Sequence, residues 1–228
     1  GANHPTYVIA EAGLNHNGDV KVAKKLVQAA SDANTDAIKF QTYKTEEFIV
    51  KTNPYFKFFK NAELSLDEFG EIHDFSKSCG LTFFSTPYDN ESVDYLFKLG
   101  VPCYKIASSD IINMPLIQFI AKKQLPIILS TGASTINEIQ EAINWIEREE
   151  NNKLALLHSV VEYPTEPINV NLLAMDSLKK KFGRIVGYSD NGESTFVDLI
   201  AVSVGANILE KHFTLDKKLE GPDHGFSI

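Results

Sequence analysis

Only two cysteines occur in the 228 residues, Cys79 and Cys103, isolated from each other and outside any CxxC pattern. Such sparse usage favours reduced core thiols of a cytoplasmic protein over a structural disulfide. Long apolar runs are missing as well. None approaches the roughly 18–20 residues that span a bilayer, and the start GANHPTYVIAE lacks a basic-then-apolar signal pattern. Positive charge is in deficit: 22 Lys and Arg stand against 30 Asp and Glu, a net charge of -8. Nucleic acid and anionic membrane surfaces are thereby poor partners, and an anionic substrate needs locally placed cations. Also absent is a GxGxxG after the first apolar run, which removes the main signature of a dinucleotide-binding fold.

What the chain does have is a strict alternation. Short β-rich runs occur at 7–10, 37–40, 81–85, 103–106, 126–130, 154–158, 185–189 and 207–211. Helical patterns lie between them. The first sets Val20, Ala23, Val27 and Ala30 on one face, and two others open with capping boxes, Ser65 to Glu68 and Thr135 to Glu138. Others cover roughly 91–99, 113–123, 171–182 and 194–205. Eight strands with seven intervening helices predict a parallel sheet closed into a (β/α)8 TIM barrel. With no linker and no repeat, residues 1–228 read as one domain. After the last strand only TLDKKLEGPDHGFSI remains, and Gly221-Pro222 interrupts it, so an eighth helix is not expected. The aromatic-rich stretch 44–64 reads equally as a lid or as a hydrophobic dimer contact.

In a parallel barrel, chemistry gathers at the C-terminal ends of the strands. All eight ends here are polar. They supply Glu11; Lys39 and Gln41; Thr86; Lys105, Ser108 and Asp110; Ser130; His158 and, further on, Tyr163; Ser189 and Asn191; and His212. One polar strand end is usually a turn or a cap. Eight on one rim line one cavity. Lysines, small hydroxyls and a glycine offer charged donors, O–H donors and exposed N–H groups, as a phosphate or carboxylate requires. Lys39 and Lys105 lie inside apolar strands, where an unpaired ammonium is costly; a ligand anion or a buried ion pair with Glu11 would explain them. Carboxylates at 11, 110 and 223 can orient a polyol or stabilise positive charge, and His212 can bind a metal or move a proton. His16 and His158 admit core or site roles, whereas His4, His73 and His224 read as ordinary.

Nine runs then resemble one family in order and spacing: EAGLNHNG (11–18), KFQT (39–42), STPYD (85–89), KIASSD (105–110), STG (130–132), YPT (163–165), GYSD (187–190), EKHFTLD (210–216) and GPDH (221–224). The chain resembles the sialic acid synthases, a family that includes N-acetylneuraminate, legionaminate and pseudaminate synthases. The resemblance implies a cytoplasmic enzyme that joins phosphoenolpyruvate to an N-acyl amino sugar aldehyde, giving a nine-carbon 2-keto acid and phosphate. It implies a TIM barrel followed by a small antifreeze-like domain, in a homodimer. That domain and the last barrel helix are missing from this sequence, so the resemblance implies the front part of a synthase. By position, Lys39, Thr86, Lys105, Ser108, Ser130 and Ser189 would hold phosphoenolpyruvate, while Gln41, Asp110, Tyr163 and Asp223 would face the sugar. Glu11 would stabilise a cationic intermediate, with His212 and Asp223 beside it in the catalytic group. A divalent metal, Mn²⁺ or Mg²⁺, would sit on His212 and a second histidine. Asn191 stands where that second histidine belongs, and Val161 stands where relatives carry Ser or Asn. These departures keep a non-catalytic sugar- or phosphate-binding barrel with a degenerate metal site as the alternative. A Schiff-base aldolase is a third reading, resting on Lys105 alone.

Overall fold

The computed structural model describes residues 4–228. Eight strands form the inner wall: β1 (Tyr7–Gly13), β2 (Ala37–Thr42), β3 (Thr82–Pro87), β4 (Tyr104–Ile106), β5 (Ile127–Ser130), β6 (Leu154–Ser159), β7 (Ile185–Asp190) and β8 (Ile208–His212). Each pairs in parallel with its neighbour, and β8 closes on β1, so the sheet has no free edge. The expected (β/α)8 barrel is the observed fold.

The helices are α1 (Val20–Asp32), α2 (Thr45–Phe48), α3 (Phe56–Ala62), α4 (Leu66–Ser78), α5 (Asn90–Leu99), α6 (Met114–Ala121), α7 (Ile136–Arg148), α8 (Ala174–Phe182) and α9 (Thr195–Ser203). Helix α1 buries Ala23, Leu26, Val27 and Ala30, the i, i+3, i+4, i+7 stripe that covers a sheet. Both predicted capping boxes form, at the starts of α4 and α7. Each satisfies N–H groups that a helix start leaves unpaired, an effect worth about 1 kcal/mol per cap. Gly100 and Gly183 end α5 and α8 in the left-handed conformation.

One element differs from the sequence reading and a second follows it. The stretch 44–64 holds the short helices α2 and α3, which makes nine α-helices among the described residues rather than seven. Its aromatics are turned inward. Tyr43, Phe48 and Phe59 pack with Tyr88, Leu14 and Ala62 in a small core apart from the main one, with Tyr43 and Phe48 ring centroids 5.4 Å apart. Only Val50 and Tyr55 of this stretch are exposed large apolar residues. The second element is the tail. Among the described residues no helix follows β8; residues 213–228 fold back over the rim instead. Asn15 Nδ2 donates to Phe213 O (2.8 Å) and Ser227 Oγ (3.0 Å), and the Ile228 N–H donates to His212 O (3.0 Å). This return brings Asp223 against the end of β1.

Cys79 and Cys103 are free thiols. No helix among the described residues is long and apolar enough to cross a membrane.

Candidate active site

Strand register decides which side chains meet. Glu11 lies level with Lys39 on one side and with His212 on the other. Gln41 is level with Thr86, and Ser189 with Glu210. Side chains alternate along a strand, so residues two apart point the same way. The inward sets at this rim are therefore polar, above a lumen of Ile, Leu and Phe.

The result is a narrow polar cavity of about 70 Å³. Glu11, Lys39, Gln41, Thr86, Lys105, Ser108, Ser130, Tyr163, Ser189, Asn191 and His212 all line it. Eleven of the thirteen sequence-predicted site residues thus converge. Larger clefts exist, about 560 Å³ between α7 and α8 and about 840 Å³ at the opposite mouth of the barrel. Volume alone does not mark the site. The first cleft has no ionised side chain in its wall, and the second is largely apolar.

Two buried lysines organise one half of the cavity. Lys39 Nζ is 2.9 Å from Glu11 Oε2 and 3.5 Å from Glu210 Oε1, and it donates to Thr86 Oγ1 at 3.1 Å. Lys105 Nζ donates to Ser130 Oγ at 2.7 Å and to Ile106 O at 3.1 Å, with Glu210 Oε1 3.9 Å away. Ser189 Oγ donates to Glu210 at 3.3 Å, and Gln41 Nε2 donates to Glu11 at 3.3 Å. Two ammoniums and two carboxylates share one buried space, and all four residues are 5% exposed or less.

Their protonation follows from this packing. Burial depresses Lys105 to about 8; Glu210 opposes the shift and Lys39 adds to it. Burial also acts against the charged form of Lys39, but Glu11 and Glu210 outweigh it and hold the ammonium above its ordinary value. Glu11 is raised, because desolvation exceeds the help from Lys39. Glu210 is lowered, because Lys105, Lys39 and His212 together overcome its desolvation. The lysines are the stronger partners, and an entering anion finds both beside small hydroxyl donors.

The other half is sparser. Burial lowers His212, so its imidazole is neutral near pH 7. Its Nδ1 is buried without a hydrogen-bond partner and stands 3.9 Å from Asp223 Oδ2. Gly13 separates the two groups. A Cβ there would come within 2.8 Å of that carboxylate oxygen and 3.3 Å of the imidazole nitrogen, and its φ of +51° also favours glycine. Asn191 gives its Nδ2 to Val160 O (2.7 Å) and to Ser159 Oγ (3.3 Å). A carbonyl can only accept, so the amide orientation is fixed and Oδ1 is directed elsewhere. The half-exposed Tyr163 ring stands near His212 and Phe226, with centroids at 6.5 and 5.3 Å.

Two predicted residues lie outside the cavity wall. Asp223 sits at the rim beside His212. Asp110 turns into its own 3₁₀ turn, where Asn113 Nδ2 (3.1 Å) and Ser109 Oγ (3.3 Å) donate to it. Burial raises its pKa. The histidines left open both lie outside this cavity wall. His158 Nε2 lies 2.6 Å from Val170 O, and His16 Nδ1 accepts from the Gly18 N–H at 3.1 Å. Sequence reading missed Glu210 and Tyr88 as wall residues. Alternation could have found both, since Glu210 lies two positions before His212 and Tyr88 two positions after Thr86.

The NeuB family model matches residues 26–228, most of the chain. The chain belongs to the NeuB family. A NeuB relative, the N,N'-diacetyllegionaminic acid synthase of Campylobacter jejuni, is 43% identical over 98% of this chain and 72% of its own length. The uncharacterized protein MJ1065 of Methanocaldococcus jannaschii is 47% identical over all of this chain and 67% of its own. Among solved structures, the N-acetylneuraminic acid synthetase of Leptospira borgpetersenii superposes with a TM-score of 0.96 at 38% identity, covering 99% of this chain and 79% of that one. The NeuB relatives with named activities are thus synthases of sialic-acid-type sugar acids, and this barrel is of their kind.

Proposed function

We propose that this NeuB barrel condenses phosphoenolpyruvate with an N-acyl amino sugar aldehyde to give a nine-carbon 2-keto acid and phosphate. The observation that carries the proposal is the buried lysine pair with its hydroxyl ring. Lys39 and Lys105, with Thr86, Ser108, Ser130 and Ser189, match a small ligand that bears both a phosphate and a carboxylate. Gly132 keeps the backbone close on this side. A Cβ there would lie 2.9 Å from Ser108 Oγ, which accepts from the Gly132 N–H at 3.0 Å.

The chemistry follows from charge placement. The enol carbon of phosphoenolpyruvate attacks the aldehyde carbon, forming the new C–C bond, and the aldehyde oxygen takes a proton. The former C2 of phosphoenolpyruvate becomes cationic. Glu11, fixed by Lys39 and Gln41, supplies negative charge where that cation develops. Water adds at C2 and gives up a proton; the C2 hydroxyl then loses its own proton as the C–O bond to phosphate breaks, leaving the ketone, and that proton departs with the phosphate. Tyr163 and Asp223 face the sugar from the other half of the rim, and Gln41 faces it from the lysine side.

A divalent cation fits this half in a restricted way. Among the described residues no three His, Cys, Asp or Glu side chains cluster as a metal centre. The unpartnered Nδ1 of His212 and Asp223 Oδ2, 3.9 Å apart, would hold it, with an amide oxygen from Asn191 on the same cavity wall as the further donor, a set suited to Mg²⁺ or Mn²⁺ rather than to zinc or copper. Bound there, the cation would polarise the sugar aldehyde.

Phosphate release is the test. The protein is incubated with phosphoenolpyruvate, Mn²⁺ or Mg²⁺, and a panel of N-acyl mannosamine-type and 2,4-diacetamido sugars. Release that needs both substrates supports the proposal. Binding of phosphoenolpyruvate with no release from any sugar would instead support a binding barrel, the reading favoured by the Asn191 amide being tied to Val160. One observation favours a Schiff-base aldolase, the depressed pKa of Lys105. Borohydride trapping with pyruvate decides that point; no labelling of Lys105 is expected.

A further inference from the structure

A second cluster of buried charge lies behind the rim, between α9 and the outer face of β7 and β8. Lys211 alternates with Glu210 and His212 along β8, so it points away from the cavity. Its Nζ pairs with the Asp190 carboxylate and donates to Gly192 O at 2.6 Å and Ser194 O at 3.4 Å. Asp198, on α9, is 3.6 Å from the same ammonium. Tyr188 Oη (2.8 Å) and the Gly192 N–H (2.9 Å) both donate to Asp190 Oδ1. Tyr188, Asp190, Asp198 and Lys211 are all buried.

A helix packed on a barrel wall needs no such cluster. Buried ion pairs are often no more stabilising than apolar side chains of the same volume. The cluster is better explained by what it holds, the 190–194 turn. That turn carries Asn191, whose side chain grips Val160 O and Ser159 Oγ. The Asn191 backbone carbonyl accepts from the Thr165 N–H at 3.0 Å. Thr165 closes the segment that presents Tyr163 to His212 and Phe226. Contacts therefore run unbroken from α9 to the histidine side of the cavity. Neither Lys211 nor Asp190 nor Asp198 bonds to Lys39, Lys105, Thr86 or Ser130.

We propose that Asp190, Lys211 and Asp198 are positioning residues that set Asn191 and Tyr163 in one half of the cavity and leave the lysine half independent. That the positioned half receives the sugar rests on the function proposed above; the mechanical claim does not.

Residue-resolved hydrogen exchange tests it without any substrate. In Lys211→Met, the amides of Gly192 and Thr165 should exchange at least about tenfold faster, while those of β2 and β4 change less than about twofold. Affinity for inorganic phosphate, measured by calorimetry, should also stay within about twofold. Asp198→Asn keeps the size and removes one charge; it should show the same pattern at smaller amplitude, and it carries the test if Lys211→Met does not fold. Uniform acceleration across all strands, no acceleration at Thr165, or an equal loss of phosphate affinity would overturn the proposal. Failure of the wild-type protein to turn over any sugar would sink the proposed function and leave the exchange result standing.

Discussion

Lys39 and Lys105 enter the cavity from strand interiors and meet carboxylates fixed on β1 and β8. Asn191 and His212, across the same opening, hang from strand ends and share no hydrogen bond. The lysine half is cross-braced: Glu210 touches both ammoniums, Glu11 braces Lys39, and each lysine has its own hydroxyl. The histidine half depends on a turn, a folded-back tail and one imidazole with an open nitrogen. The difference teaches where this architecture can absorb change. Removing any member of the charged quartet leaves buried charge without one of its partners. Exchanging a residue at position 191 leaves the barrel intact and alters only what the cavity can hold.

The largest expected effect comes from breaking the lysine half. Lys39→Met leaves Glu11 as an uncompensated buried carboxylate and Glu210 with Lys105 alone. It should cost about 3–5 kcal/mol in urea unfolding and lower phosphoenolpyruvate affinity at least about 100-fold. A loss confined to affinity, with stability unchanged, would show that the quartet is not structural.

A buried imidazole outside both halves serves as a control for His212. Burial depresses His16 to about 4, and its Nε2 has no partner. Its folded pKa lies below the unfolded one, so the folded chain binds fewer protons in that window. Its contribution is therefore fully present above about pH 6.5 and fades as the pH falls toward 4, by about 3 kcal/mol. His16→Asn keeps an acceptor for the Gly18 N–H and should flatten this acid limb of the stability curve. An unchanged acid limb would place the sensitivity elsewhere.

The histidine half should respond to gain rather than loss. Asn191→His supplies a second imidazole and should tighten Mn²⁺ at least about tenfold, read from the free Mn²⁺ resonance during titration. Equal affinity in both proteins would mean that position 191 does not reach the ion. The smallest effect is expected at Val161, which is 47% exposed and whose Cγ2 lies 2.7 Å from where a Gly132 Cβ would stand. Val161→Ser should tighten phosphoenolpyruvate by about two- to fivefold through one added hydrogen bond.

The barrel was legible because its signals are local and repeated. Alternating strand runs, the α1 stripe and both capping boxes all survive into the structure. Helices α2 and α3 were not legible. One spans four residues and the other is rich in phenylalanine, so neither carries much intrinsic preference, and both owe their form to the Tyr43–Phe48–Tyr88 cluster. In the site, strand position located most of the wall. Asp110 lies outside that wall, where its carboxylate accepts from Asn113 in a turn, a competition that spacing does not reveal. The hold of Val160 on Asn191 is likewise a contact between residues 31 apart, invisible before the strands are paired.

The central claim is that the cavity drives attack at C2 of phosphoenolpyruvate, where Glu11 stabilises positive charge, and not hydrolysis at phosphorus. Turnover of phosphoenolpyruvate carrying ¹⁸O in its bridging oxygen, with an accepted amino sugar, tests this directly. The account predicts the label in the released phosphate and a solvent-derived oxygen at C2 of the new keto acid. Label retained on the organic product, with solvent oxygen in the phosphate, would contradict it.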